Sequence, residues 1–299
     1  VTQKETTHTQ KATTFRKKNY ALTPLQSGLL FRELYNKSIS GEYIVQTVIE
    51  LQGKINLEII QIAWQEVIQA HDILRMAFVW ENMGIPLQYT LDGVLFSCKS
   101  EDWSKYSKET IESKLTSFLE KDRKAPFDLS APPLFRLSLM TLPNETFYLM
   151  WSYHHIILDG WSSRLILNDF FHVYCALIKN KKAPLKTYSY KTYLQCHEKQ
   201  RKDKALDFWT KNLHCIEEPS LLVPPQKNSK ELHQKRLRSS FSQNFWREVK
   251  RYSQSNNYTI NTLIQASIGL VLSQLISKKT LSYGITISGR SVDLENIDH

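Results

Sequence analysis

Apolar positions change their period from one segment to the next, and those changes mark out the elements. Across residues 43–51 they fall on alternate positions (Tyr43, Val45, Ile49 and Leu51, with Thr47 in step), the signature of a half-buried strand. Across 56–71 the spacing turns helical, with Leu57, Ile60, Ala63, Trp64, Val67 and Ile68 on one stripe. Upstream, Leu22-Thr23-Pro24-Leu25-Gln26-Ser27-Gly28-Leu29-Leu30-Phe31 offers Thr23 as an N-cap and Pro24 at the first helical position. Strands are predicted over 74–80 and 86–91, and an amphipathic helix over 108–121 on Ile111, Leu115, Phe118 and Leu119. Phe127-Asp128-Leu129 and Pro132-Pro133 then break the chain before strands at 134–141 and 146–153. A helix over 162–179 carries Leu165, Ile166, Phe170, Tyr174, Leu177 and Ile178 on one face.

Beyond a boundary expected at 179–184, the pattern predicts a helix over 190–213, a loop at Pro224-Pro225 and a strand at 237–241. Helices follow at 245–254 and 262–275, the second almost uncharged and expected to be buried, then a last strand at 281–287. The mixture of strands and helices makes this an α/β chain of the α+β sandwich kind. Three parts are expected: a polar, Thr-rich leader (1–20), an N-terminal lobe (21–180) and a partial C-terminal lobe (181–299). The 299 residues suffice for two lobes with sizeable cores. The start at Val1 and the end at Ile297-Asp298-His299, without a closing element, read as a piece of something larger.

Composition narrows the function classes. The net charge is +10, but it is concentrated in the leader (Lys4, Lys11, Arg16, Lys17, Lys18) and in runs at 179–204 and 227–251. Such runs are read first as solvated faces and linkers, and second as a surface for an acidic partner. Basic residues are not interleaved with aromatics in the manner of RNA-binding surfaces, so nucleic acid is not expected. Cys98, Cys175, Cys196 and Cys215 form no CxxC pair, which argues against structural zinc and for reduced thiols. With no apolar run near the ~20 residues of a membrane span and no secretion signal, a cytoplasmic protein without a membrane partner is expected.

Chemistry concentrates in His154-His155-Ile156-Ile157-Leu158-Asp159-Gly160, on the turn between the 146–153 strand and the following helix. Imidazole is the side chain suited to proton transfer near neutral pH. Neighbours on a strand face opposite sides, so one histidine can face a cavity while the other packs beneath it. For the same reason the pair is poorly placed to chelate one metal, and no metal is expected. Asp159 has two readings: it orients His155 as a triad carboxylate would, or it binds a distant arginine and braces the turn. Gly160 allows close approach of a substrate to its backbone, and the helix start turns N–H groups toward a ligand. GxSxG, Walker and dinucleotide-binding signatures are absent. Ser162 and Ser163 are read as helix N-terminal hydroxyls.

This heptapeptide, followed by Trp161-Ser162, resembles the HHxxxDG motif of nonribosomal peptide synthetase condensation domains. Residues 22–31 resemble that family's first motif. His71-Asp72-Ile73-Leu74-Arg75-Met76-Ala77-Phe78 resembles "RHxxLRTxF", with Ala70 and Met76 replacing Arg and Thr. Phe127-Asp128-Leu129 with Pro133-Leu134-Phe135-Arg136 resembles "FDL…PLxR". Tyr190-Lys191-Thr192-Tyr193 with Phe208-Trp209 is a looser match to "YxDY…FW", and Tyr283-Gly284 with Ser288-Gly289-Arg290 matches "FGxxxSGR". The resemblance covers about residues 20 to 293 in family order; the next motif, near "GxFxNT", is missing.

The resemblance implies two chloramphenicol acetyltransferase-like lobes in a V, here with the second lobe truncated. It implies a reaction in which the amine of one carrier-bound aminoacyl group attacks the carrier-bound acyl or peptidyl thioester of another. Catalysis is assigned to His155, with His154 structural, Asp159 paired with Arg290, and the Gly160 amide near the developing oxyanion; Arg75 and Arg290 give structural support. No cofactor is bound by the domain itself, since substrates ride on 4'-phosphopantetheine. The implied partners are upstream donor and downstream acceptor peptidyl carrier domains and an adjacent adenylation domain. The same heptapeptide occurs in epimerization domains, though usually followed by Val-Ser-Trp, while heterocyclisation domains replace the histidines. A coenzyme A-dependent acyltransferase and a catalytically silent carrier-docking module are the other readings.

Overall fold

A computed structural model describes residues 19–35, 41–186, 188–198, 202–216, 218–223 and 237–287. It divides at Gln200–Arg201 into two compact units; the described residues of the first run from 19 to 198, those of the second from 202 to 287. The division falls beyond the boundary expected at 180.

In the first unit, β1 (Asn19–Ala21) and α1 (Pro24–Tyr35) are followed by β2 (Ile44–Gln52) and α2 (Leu57–Ala70). A 3₁₀ turn (Asp72–Arg75) leads to β3 (Met76–Val79), β4 (Leu87–Thr90) and β5 (Lys99–Asp102). Next come α3 (Lys108–Lys124), β6 (Phe135–Leu142), β7 (Thr146–His154), α4 (Gly160–Ile178) and α5 (Tyr190–Glu198). The helix starts have local causes. Thr23 Oγ1 accepts from the Gln26 N–H (3.2 Å) while Gln26 Oε1 accepts from the Thr23 N–H (3.0 Å), a reciprocal capping box. Asn56 and Ser107 cap α2 and α3 with their side-chain oxygens.

The larger sheet has the order β2-β7-β6-β5, antiparallel except for the parallel β5–β6 edge; a smaller antiparallel sheet runs β1-β4-β3. The period of two along β7 decides what each face meets. Leu149, Trp151 and Tyr153 join the core built with α2 and α4, whereas Met150 packs with Trp103, Ile111, Met140 and Leu142 on the α3 side. Trp64 of α2, fully buried, sits at the centre of the first core, its ring 5.0 Å from Phe170, 5.3 Å from Trp151 and 5.4 Å from Phe135. These aromatic pairs add about 0.5–1.5 kcal/mol each to the burial itself.

Among its described residues the second unit contains the helices α6 (Lys202–Leu213), α7 (Gln243–Ser255) and α8 (Ile260–Ile276). The helix predicted over 190–213 is represented by α5 and α6, and residues 199–201 lie outside the described residues. Three expectations are corrected here. The strands predicted at 237–241 and 281–287 are irregular backbone, because alternation makes a strand only where a neighbour completes the ladder, and none does among the described residues. Helix α8, expected to be buried, has no buried residue, and Leu270 and Leu275 are more than 60 % exposed. Hydropathy reports the apolar face and not what covers it. Among the described residues no single helix is long and apolar enough to cross a membrane.

Candidate active site

Strand β7 ends at His154, and the turn to α4 begins with His155. Strand parity puts His154 on the α3 side with Ser152, where it is 1 % exposed, beside the rings of Phe127 (6.4 Å) and Tyr43 (6.2 Å). Its Nδ1 lies 3.1 Å from the Ile156 N–H. A backbone N–H only donates, so Nδ1 carries the lone pair and Nε2 the proton of the neutral ring. That Nε2 lies 3.7 Å from Glu33 Oε2, outside hydrogen-bond range, and has no hydrogen-bond partner among the described residues.

His155 is exposed and in the opposite tautomer. Its Nδ1 is 2.9 Å from the Leu158 carbonyl oxygen, which only accepts, so Nδ1 carries a proton and, in the neutral ring, Nε2 carries the lone pair. The His155 backbone N–H donates to the Tyr43 carbonyl at 2.8 Å, tying the turn to the start of β2. One buried ring therefore closes the turn, while the exposed ring presents a proton-accepting nitrogen.

Asp159 is the N-cap of α4: its Oδ1 accepts from the Ser162 N–H at 2.7 Å. The His155 Nδ1 lies against the Leu158 carbonyl. Arg290 lies outside the described residues. Gly160 is the first residue of α4, at the positive end of the helix, and a Cβ built on it meets nothing within 4 Å. Ser163 Oγ donates to the Gly160 carbonyl (3.2 Å), a first-turn hydroxyl as expected.

Sequence reasoning overlooked the most connected support of this turn. Gln26, 5 % exposed, forms a reciprocal amide pair with the fully buried Gln88 (Nε2 to Oε1, 3.0 and 2.9 Å). Its Nε2 also reaches the Ile156 carbonyl (3.4 Å) and the Tyr190 hydroxyl (3.2 Å). Burial pushes the Tyr190 hydroxyl well above the usual phenol range, and nearby Tyr193 adds to this, against the hydrogen bonds from Gln26 and Gln88. The available signal was Thr23-x-x-Gln26, a capping-box spacing.

Arg75, 6 % exposed, is a brace outside the turn: Nε donates to the Ile68 carbonyl (3.0 Å), Nη1 to the Leu91 carbonyl (3.1 Å) and Asp92 (3.2 Å), and Nη2 to Asp72 (2.8 Å). On the α3 side, Arg136 lies over the Phe127 ring at 4.0 Å and donates Nε to Asp122 (2.8 Å). Burial raises the Asp122 carboxyl. Hydrogen bonds from Ser152 (2.6 Å), Gln46 (2.7 Å) and Arg136, with the Arg136 charge, outweigh it and hold the group below its ordinary value. This network backs Phe127, whose edge meets His154. Buried Cys98, its thiol pushed up to about 12 by desolvation, is no nucleophile. Among the described residues no three His, Cys, Asp or Glu side chains converge as metal ligands.

The Condensation domain family matches residues 16–299, and the chain belongs to that family, whose members form amide bonds in nonribosomal peptide synthetases. It is 33 % identical over 288 residues to a linear gramicidin synthase from Brevibacillus parabrevis, covering 93 % of this chain and 4 % of that protein. It is 28 % identical over 282 residues to surfactin synthase subunit 3 of Bacillus subtilis, covering 94 % of this chain and 22 % of the synthase. The chain thus spans a small part of these relatives. The first condensation domain of the calcium-dependent antibiotic synthetase shares the fold, with a TM-score of 0.69 at 17 % identity, over 88 % of this chain and 62 % of that one. A starter condensation domain of rhizomide synthetase aligns with a TM-score of 0.61 at 22 % identity, over 69 % of this chain and 50 % of its own.

Proposed function

We propose that this chain transfers an acyl or peptidyl group from an upstream carrier's thioester to the α-amine of an aminoacyl group on a downstream carrier. Both substrates ride on 4'-phosphopantetheine, and the domain itself binds no separate cofactor. An adjacent adenylation domain loads the acceptor, and the reaction takes place in the cytoplasm. The observation that carries this reading is the pair of opposed tautomers, which leaves the His155 Nε2 lone pair on the exposed side of the turn.

An α-amine has a pKa of about 8, so roughly a tenth of it is neutral at pH 7. The neutral amine attacks the thioester carbonyl, forming the C–N bond, and negative charge gathers on the carbonyl oxygen near the N–H groups that open α4 at Gly160. His155 Nε2 orients the amine, takes its proton, and returns it to the thiolate released as the C–S bond breaks. Asp159 contributes by capping α4 and so fixing Gly160, and His154 contributes by closing the turn beneath His155.

The test mixes the chain with a donor-loaded and an aminoacyl-loaded carrier and reads the acceptor carrier's intact mass. The expected result is a gain of one donor acyl unit, reduced ~10²–10⁴-fold in rate by His155→Ala. An unchanged mass with well-loaded cognate carriers would move the assignment to epimerization or to carrier docking without catalysis. A loss far beyond ~10⁴-fold would contradict the modest proton-relay role.

A further inference from the structure

We infer that Glu33 of α1 is a positioning residue for the catalytic turn, acting on His155 through His154; this rests on the amide-forming reading above. Gln26 and Glu33 are seven positions apart, close to two turns, so they share one face of α1. Both reach the same short stretch of chain: Gln26 Nε2 meets the Ile156 carbonyl at 3.4 Å, and Glu33 Oε2 faces His154 Nε2 at 3.7 Å. Between them the Ile156 N–H donates to His154 Nδ1. His155 is thus flanked on both sides by residues held from α1.

The Glu33 carboxylate selects the tautomer. His154 is 1 % exposed, so its Nε2–H is out of reach of bulk water, and a negative charge opposite it favours the proton on Nε2. This keeps the Nδ1 lone pair available to the Ile156 N–H. With the proton on Nδ1 instead, two donors would face each other, the turn would open, and the His155 Nε2 lone pair would leave its position. Glu33, itself partly exposed, need not touch any substrate to have this effect.

The experiment compares Glu33→Leu, Glu33→Ala and Glu33→Gln with the full wild-type chain, each shown by thermal melting to be folded. Long-range ¹H–¹⁵N correlation of the imidazole nitrogens reads the tautomer of His154, and carrier-to-carrier transfer gives kcat and KM. Wild type should show the Nε2–H pattern; Leu, Ala and also Gln, which keeps the shape of Glu33 but not its charge, should shift it toward a mixture. In all three, kcat should fall about tenfold with KM within about twofold, less than the ~10²-fold that an ångström of misplacement costs. An unchanged His154 pattern in both Leu and Ala, wild-type kcat in both, or a Gln variant with the wild-type pattern and kcat would each overturn the inference. Should the wild type form no amide, the functional reading fails, while the nitrogen spectra still decide whether Glu33 sets His154.

Discussion

Replacing Gln26 with leucine tests whether its buried amide pair is the main support of the turn. The change keeps side-chain volume roughly constant and removes five hydrogen bonds: from the Thr23 N–H, to and from Gln88, and to Ile156 and Tyr190. Gln88 is fully buried and keeps its bond to the Ala21 carbonyl (3.0 Å), but it loses the pair with Gln26; Thr23, 8 % exposed, loses its acceptor. Each buried polar group left unpaired costs about 1–3 kcal/mol, so two give about 2–6 kcal/mol, centred near ~4. For a unit of this size that lowers Tm by roughly 10 °C, at ~2–4 °C per kcal/mol. Calorimetry or urea unfolding of Gln26→Leu, Gln88→Leu and the double variant supplies the assay. The double variant orphans fewer groups than the singles together, so the costs should be sub-additive by about 1–3 kcal/mol. A loss below about 1 kcal/mol in Gln26→Leu, or additive losses, would refute the reasoning.

Two further predictions address the turn and its backing. Gly160→Ala places a methyl in open space at the first position of α4, so Tm should hold or rise, by up to ~1 kcal/mol of stability. On the proposed reading, in which the thioester approaches at Gly160, its kcat/KM should nevertheless fall about tenfold or more; unchanged kinetics would remove Gly160 from the site. Asp122 is held below its ordinary pKa, so its contribution to stability is fully present above the unfolded value near ~4 and is lost as pH falls through the lower folded value. Asp122→Asn should therefore be less stable than wild type at neutral pH and should close that gap on acidification, read as Tm against pH. A gap that is constant from pH 7 to pH 2 would show that the carboxylate's charge does not matter.

Much of the first unit was legible because its signals are local. The helical stripe at 56–71 and the alternation at 146–153 each describe a face that must be buried, and α2 and β7 follow them within one or two residues. Strand alternation also separates His154 from His155, the division on which their different roles rest. The short edge strands β1 and β5 were missed: three and four residues carry too little period, and all four residues of β5 are exposed. In the second unit the alternation at 281–287 and the apolar run of α8 were read as a strand and a buried helix. Both readings depended on neighbours that a one-dimensional pattern does not identify.

The sequence alone determined the period of each main element of the first unit, the Thr23 cap that starts α1, and the heptapeptide proposed to carry the chemistry. These depend on backbone geometry and near neighbours. Tertiary structure alone decided which nitrogen of each histidine bears the proton, that Gln26 grips a carbonyl 130 residues away, and that Glu33 faces His154. Hydrogen bonds and charge pairs depend on distances of a few ångströms between groups far apart in the chain, and only folding brings those groups together.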